Sequence, residues 1–182
     1  MTHPPSFVAS PILNAYAAST LEIDRRTRDL ATGPGLALGP VAVQALIGDV
    51  LQRLEPLARE AELALLRDVH PARDGVCCAE PRRLRTVVYH LILRALSMEQ
   101  APGHVRVTVE LTGHEAHILI LSRTPEARLA DHGDAARQDL VAPQRLLQAM
   151  GGSLVLEPRR AAYLPLCIAL PALSAATMRV AA

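Results

Sequence analysis

Residues 79–97 read AEPRRLRTVVYHLILRALS. Leu84, Val87, Val88, Leu91 and Ala95 recur there at steps of three and four or their sum, the period of a helix with one buried face, and Pro81 suits a first helical turn. A helix from about Pro81 to Met98 is expected. Arg82, Arg83 and Arg85 crowd its N-terminal end, where the helix dipole favours negative charge, so a local carboxylate such as Glu80 or an acidic partner is expected to offset them. His90 and Arg94 stand one turn apart at the edge of the apolar stripe. Two readings fit this pair: a small anion site that needs no metal, or a helix edge with a packed histidine and a solvated arginine.

On either side the pattern alternates between helix and strand periods. Val43, Leu46, Ile47, Val50, Leu54 and Leu57 form one stripe of a helix beginning near Val41, and Pro56 predicts a kink or early end. The apolar runs LALLRDV (63–69) and GVCCA (75–79), separated by His70, Pro71 and Asp74, read as two strands around a turn. Further upstream, Ile12, Tyr16, Ser19, Ile23 and Leu30 mark a short amphipathic helix ending before the Gly33, Pro34, Gly35 breaker.

Downstream, HVRVTVEL (104–111) and HILILS (117–122) make a hairpin through Thr112 and Gly113, its second strand apolar enough to lie centrally in a sheet. Residues 123–138 are polar and aperiodic and read as a mobile loop. A fourth helix from about Pro143 to Met150 stops at Gly151 and Gly152, the first suited to a left-handed cap. SLVLE (153–157) and YLPLCIAL (163–170) are the last strands. The order of helix and two strands, three times over, predicts a two-layer α/β sandwich, a mixed β-sheet with helices on one face. The expected division is a tail and short helix over 1–38, one domain over 39–173 and a tail over 174–182.

Composition narrows the function classes. With 182 residues, half of them hydrophobic, the chain suits one domain with a sizeable core. Its 19 basic residues, all arginine, nearly cancel 18 acidic ones, so no broad cationic field points to nucleic acid or an anionic membrane. Phe7, Tyr16, Tyr89 and Tyr163 are the only aromatics, too few for base-stacking platforms. Cys77, Cys78 and Cys167 lack metal or redox spacing and read as small buried hydrophobes in a reducing compartment. No apolar run approaches the roughly 20 residues of a membrane span, and the segment around His3, Pro4 and Pro5 has no signal-peptide pattern, so a cytoplasmic protein is expected.

Three stretches, in order and spaced alike, resemble the catalytic ATP-binding domain of sensor histidine kinases, of the GHKL or Bergerat-fold superfamily. Residues 79–97 resemble the strand-end acid, Arg-Leu-Arg step and long helix that in the family carries two asparagines four apart. QRLLQAMGGSLVLE (144–157) resembles the helix, glycine pair and strand after the nucleotide lid, and CIALPAL (167–173) the closing strand. Val41 to Val69 matches the opening helix and strand, and residues 12–32 the tail of the helix before them. The resemblance implies the GHKL sandwich and a place in two-component signalling.

The family's nucleotide ligands are replaced at the matching positions. His90 and Arg94 stand for the asparagines, and arginine has no lone pair for magnesium and repels it by charge. Ser122, Arg123, Thr124, Pro125 and Glu126 stand where the family has the adenine-reading aspartate and its glycines. Ser122 and Thr124 keep hydroxyls without the carboxylate's charge assistance. Arg137 and Asp139 replace lid glycines, and Tyr163 and Pro165 replace a glycine and threonine of the final hairpin.

This pattern implies a degenerate, non-catalytic domain that binds a histidine kinase, a response regulator or a copy of itself, with no metal and no cofactor. The alternative is ATP binding without magnesium, Arg94 acting as the phosphate's counter-charge. A third reading, a histidine phosphotransferase, has only His90 as acceptor, because His3 lies in a Pro-rich tail and about 38 residues precede the domain, room for one helix rather than a hairpin. His114 and His117 near a turn, and His132, Gly133 and Asp134 in the polar loop, read as solvated. The stripe of the first helix has no obvious place in the sandwich, which suggests a homodimer through that helix.

Overall fold

In the computed structural model, residues 10–32, 35–68, 75–112, 114–123, 138–156 and 163–173 are described. Along the chain run α1 (Pro11–Thr32), β1 (Gly39–Ala42), α2 (Val43–Glu60), β2 (Leu63–Asp68), β3 (Val76–Ala79), α3 (Pro81–Met98), β4 (Gly103–Thr112), β5 (Glu115–Arg123), α4 (Val141–Ala149), β6 (Ser153–Leu156) and β7 (Tyr163–Pro171). The helix read from residues 79–97 is α3, with Pro81 at its start as its fixed φ allows.

Five strands form one sheet in the order β2-β4-β5-β7-β6. β2 and β4 pair in parallel, from Leu63 opposite Gly103 to Asp68 opposite Thr108, and every other neighbour is antiparallel. The β4–β5 hairpin expected from the alternation runs from Arg106 opposite Leu121 to Thr112 opposite Glu115, and β5 lies between β4 and β7 in the interior of the sheet. Val105, Val107 and Val109 on β4, and Ala116, Ile118 and Ile120 on β5, are buried at every second position, so one sheet face meets the helices. Leu84, Val88, Leu91 and Ala95 of α3 belong to the same core. Burying side chains of this size contributes about 1.5–3 kcal/mol for each Leu, Val or Ile. The result is the mixed-sheet α/β sandwich that the order of elements predicts.

Three local expectations are corrected. The runs around residues 63–69 and 75–79 are not partners across a turn: β2 joins the main sheet beside β4, whereas β3 pairs with β1 in a separate two-stranded ribbon, Val41 opposite Cys77. Short apolar runs do not encode which edge they join, and β1 was hidden in the start of the helical stripe. Secondly, of the kink or early end expected at Pro56, the early end does not occur, and α2 continues through Pro56 to Glu60. Thirdly, α1 extends over 22 residues, and its stripe is covered by this chain's own α3 and α4, with Ile12 and Ile23 buried. The apolar surface on which self-association was argued therefore has a place inside the fold.

Two glycines after α4 are fixed by geometry. Gly151 takes φ +77°, the left-handed value that ends helices, and a Cβ at Gly152 would lie 2.6 Å from the Ala169 carbonyl oxygen. Cys77 and Cys167 are buried and Cys78 half-buried, all three as free thiols, and burial pushes the Cys77 thiol up to about 11, which makes it inert.

Candidate functional site

The two α3 residues singled out by sequence, His90 and Arg94, face away from the sheet into the seam between α1, α3 and the start of α4. Both are buried, His90 at 0% and Arg94 at 3% exposure. The packed histidine was one of the two readings of this edge. The solvated arginine was not, because α1 lies over it.

α1 supplies Tyr16 and Ser19, one turn apart. The Tyr16 ring stacks on His90 with centroids 5.1 Å apart and planes inclined by 27°. Its hydroxyl donates to Asp139 Oδ2 at 3.0 Å, which ties α1 to the approach to α4, and it also hydrogen-bonds Arg94. The Ser19 hydroxyl donates to the Tyr16 carbonyl at 2.8 Å and lies 3.0 Å from His90 Nδ1. With its one proton committed to a carbonyl, Ser19 accepts from His90, which assigns the neutral ring's proton to Nδ1.

Burial sets the protonation here. It lowers His90 to about 4, and Arg94 lowers it further, while the Asp139 carboxylate, the Asp139 main chain and Asp24 act in the opposite direction. His90 Nε2 makes no hydrogen bond of acceptable geometry among the described residues. Burial and then Asp139 raise the Tyr16 phenol, and burial lowers the Arg94 guanidinium against the opposing pull of Tyr16 and Asp139. At neutral pH the imidazole and the phenol of the cluster are neutral beside the Arg94 guanidinium. With α1 in place His90 is closed to a phosphoryl donor.

Ser122 is buried on the same alternating face of β5 as Ile120, near the C-terminal end of α3, where the Arg123 main-chain N–H donates to Glu99 Oε2 at 2.6 Å. Thr124, Arg137, His3 and His132 lie outside the described residues. Pro165 is buried opposite Leu121 in the β5–β7 ladder. His114 is exposed, His117 pairs with Glu115 at 3.0 Å, and among the described residues no three His, Cys, Asp or Glu side chains come together as a metal site. The members that sequence reasoning did not assign to the cluster are Tyr16, Ser19 and Asp139. A phenol and a hydroxyl inside an otherwise apolar stripe were the available signal, since buried polar groups require partners.

Of the first-turn arginines, Arg83 is held by Glu80 at 2.8 Å, as the local-carboxylate expectation has it, and Arg85 lies 3.5 Å from Asp49.

No family model and no curated protein sequence matches the chain. Solved structures do. The histidine kinase AdeS of Acinetobacter baumannii superposes with a TM-score of 0.69 at 18% identity, covering 95% of this chain and 88% of that one. Full-length ShkA in complex with AMPPNP gives 0.67 at 21% identity, over 90% of this chain and 36% of that one. The histidine kinase ThkA in complex with the response regulator TrrA gives 0.69 at 15%, over 95% of this chain and 53% of that one. The chain therefore has the fold of the histidine-kinase catalytic domain, the GHKL sandwich. In the described residues no helix is long and apolar enough to cross a membrane.

Proposed function

We propose that this chain is a non-catalytic signalling domain of two-component type, a histidine-kinase sandwich that works by protein–protein contact. One observation carries this reading. The α3 face that the resemblance assigns to magnesium and phosphate bears His90 and Arg94, and Tyr16 and Ser19 of α1 cover it from within the same chain. A guanidinium in that place repels a divalent cation, and the stacked phenol takes up contact surface that a ligand would need. The protein partner is a histidine kinase, a response regulator or a second copy. The kinase–regulator complex of ThkA with TrrA supports a partner of this kind by analogy of fold alone.

The test is calorimetric titration of the full chain with Mg-ATP. No saturable heat is expected at millimolar nucleotide, and micromolar affinity would overturn the proposal.

A second reading is favoured by the position of Arg94. If α1 swings away, its guanidinium becomes available to a phosphate without metal. ATP binding in EDTA that is lost in Arg94→Ala would establish that mode, and binding unchanged by that substitution would eliminate it.

A further inference from the structure

Beyond the nucleotide-type face, a cavity of about 450 Å³ opens where α1, α2 and the first turns of α3 meet. Four arginines line it: Arg26 from α1, Arg53 from α2, and Arg82 and Arg85 from α3. One lining carboxylate opposes them, Glu22, and it is engaged by Arg25 and Arg26 at 2.9 and 2.6 Å. Arg85 reaches Asp49 only at 3.5 Å, and its Nε is buried without a hydrogen-bond partner among the described residues. The Arg53 and Arg82 side chains make no hydrogen bond or ion pair among the described residues. The first turn of α3 holds no acidic residue, so the helix dipole adds to this positive field instead of balancing it.

We infer that this cavity is a binding site for a small phosphorylated molecule, a phosphate ester or pyrophosphate-type anion, bridging α1 to the sandwich. Guanidinium forks match phosphate oxygens in pairs, and two forks without partners among the described residues line one cavity from α2 and α3. The volume lies in the range of small-molecule sites rather than that of a flat protein contact. Ala15 and Tyr89 provide apolar wall for the organic part. Ser19 lines this cavity and also touches His90 Nδ1, so an occupant presses α1 onto the cluster beneath.

The probe is sodium pyrophosphate, titrated calorimetrically into the full chain in EDTA at constant ionic strength. Saturable one-to-one binding is expected, with a rise in melting temperature. Arg53→Gln and Arg82→Gln, both exposed side chains, are each expected to weaken binding about threefold or more, and the double variant about tenfold or more. Arg145→Gln, outside the cavity, is expected to leave affinity unchanged. Because each single variant is read on its own, the result does not depend on the double variant folding. Absence of saturation, or affinity unaltered by both substitutions, overturns the inference. So does a glutamate-rich peptide that saturates where pyrophosphate does not, since that assigns the surface to an acidic protein segment. In a parallel titration with magnesium in place of EDTA, binding that appears only there and survives both changes places the anion in the nucleotide-type pocket and defeats the proposed function as well, whereas loss of this cavity alone leaves that proposal standing.

Discussion

Tyr16 of α1 stacks on His90 of α3 at 5.1 Å, and through its hydroxyl reaches Asp139 before α4 at 3.0 Å. One side chain thus ties α1, α3 and the approach to α4 together. The arrangement makes α1 part of the domain's packing and gives each member of the cluster a measurable role.

His90 provides a pH signature. Its folded-state pKa is near 4, against an ordinary value of 6.5, because the charged ring loses hydration on burial. Above pH 6.5 neither state binds the proton. Between 6.5 and 4 the unfolded chain binds it and the folded one does not, so stability falls as pH drops through that window, by roughly 3 kcal/mol in total. The charges of Asp139, Arg94 and Asp24 act on the ring. Urea unfolding across this range is expected to show the loss, and His90→Gln to flatten it. Nitrogen NMR at neutral pH is expected to find the proton on Nδ1.

Ser19→Ala removes the acceptor of that proton and strands a buried ring nitrogen, so a loss of about 1–3 kcal/mol is expected in denaturant unfolding. Tyr16→Phe keeps the stack but deletes the bonds to the exposed Asp139 and to Arg94, and a smaller loss of about 1 kcal/mol is expected. Equal effects from the two substitutions would contradict this division of roles.

At Gly152 a methyl group would meet the Ala169 carbonyl oxygen at 2.6 Å and Leu170 Cδ2 at 2.7 Å. Gly152→Ala must push α4 away from β7 and is expected to lower stability by about 1–3 kcal/mol. Thermal melting would show it, with Gly39→Ala, where nothing lies within 4 Å, as the comparison.

Glu62 follows α2 with φ 56°, a left-handed conformation that side chains with a Cβ resist. Its N–H donates to the Arg59 carbonyl at 3.0 Å, so the turn itself is kept by any residue with an amide. Glu62→Gly is expected to raise stability by up to about 1 kcal/mol, the relief of strain exceeding glycine's entropy in the unfolded chain, and Glu62→Val to lower it. Equilibrium unfolding measures both.

The reach of the sequence differed by element. The β4–β5 hairpin, α3 and the glycine stop after α4 were legible because each rests on a local period or a local backbone demand. The partners of β2 and β3 were not, because Leu63–Asp68 and Val76–Ala79 look alike as short apolar runs until distant edges select them. His90 and Arg94 were identified as a pair one turn apart, but their burial beneath α1 was not, since Ser19 approaches His90 from 71 residues away.

Periodicity and glycine placement alone determined the sandwich and the position of its long helix, because hydrogen bonding within an element and the burial of one face act over a few residues. Tertiary structure alone decided that α1 folds back on α3, that His90 is a neutral buried base, and that arginines from three helices share one cavity. Those are consequences of desolvation and of charge brought together through space, and neither quantity exists until the chain has folded.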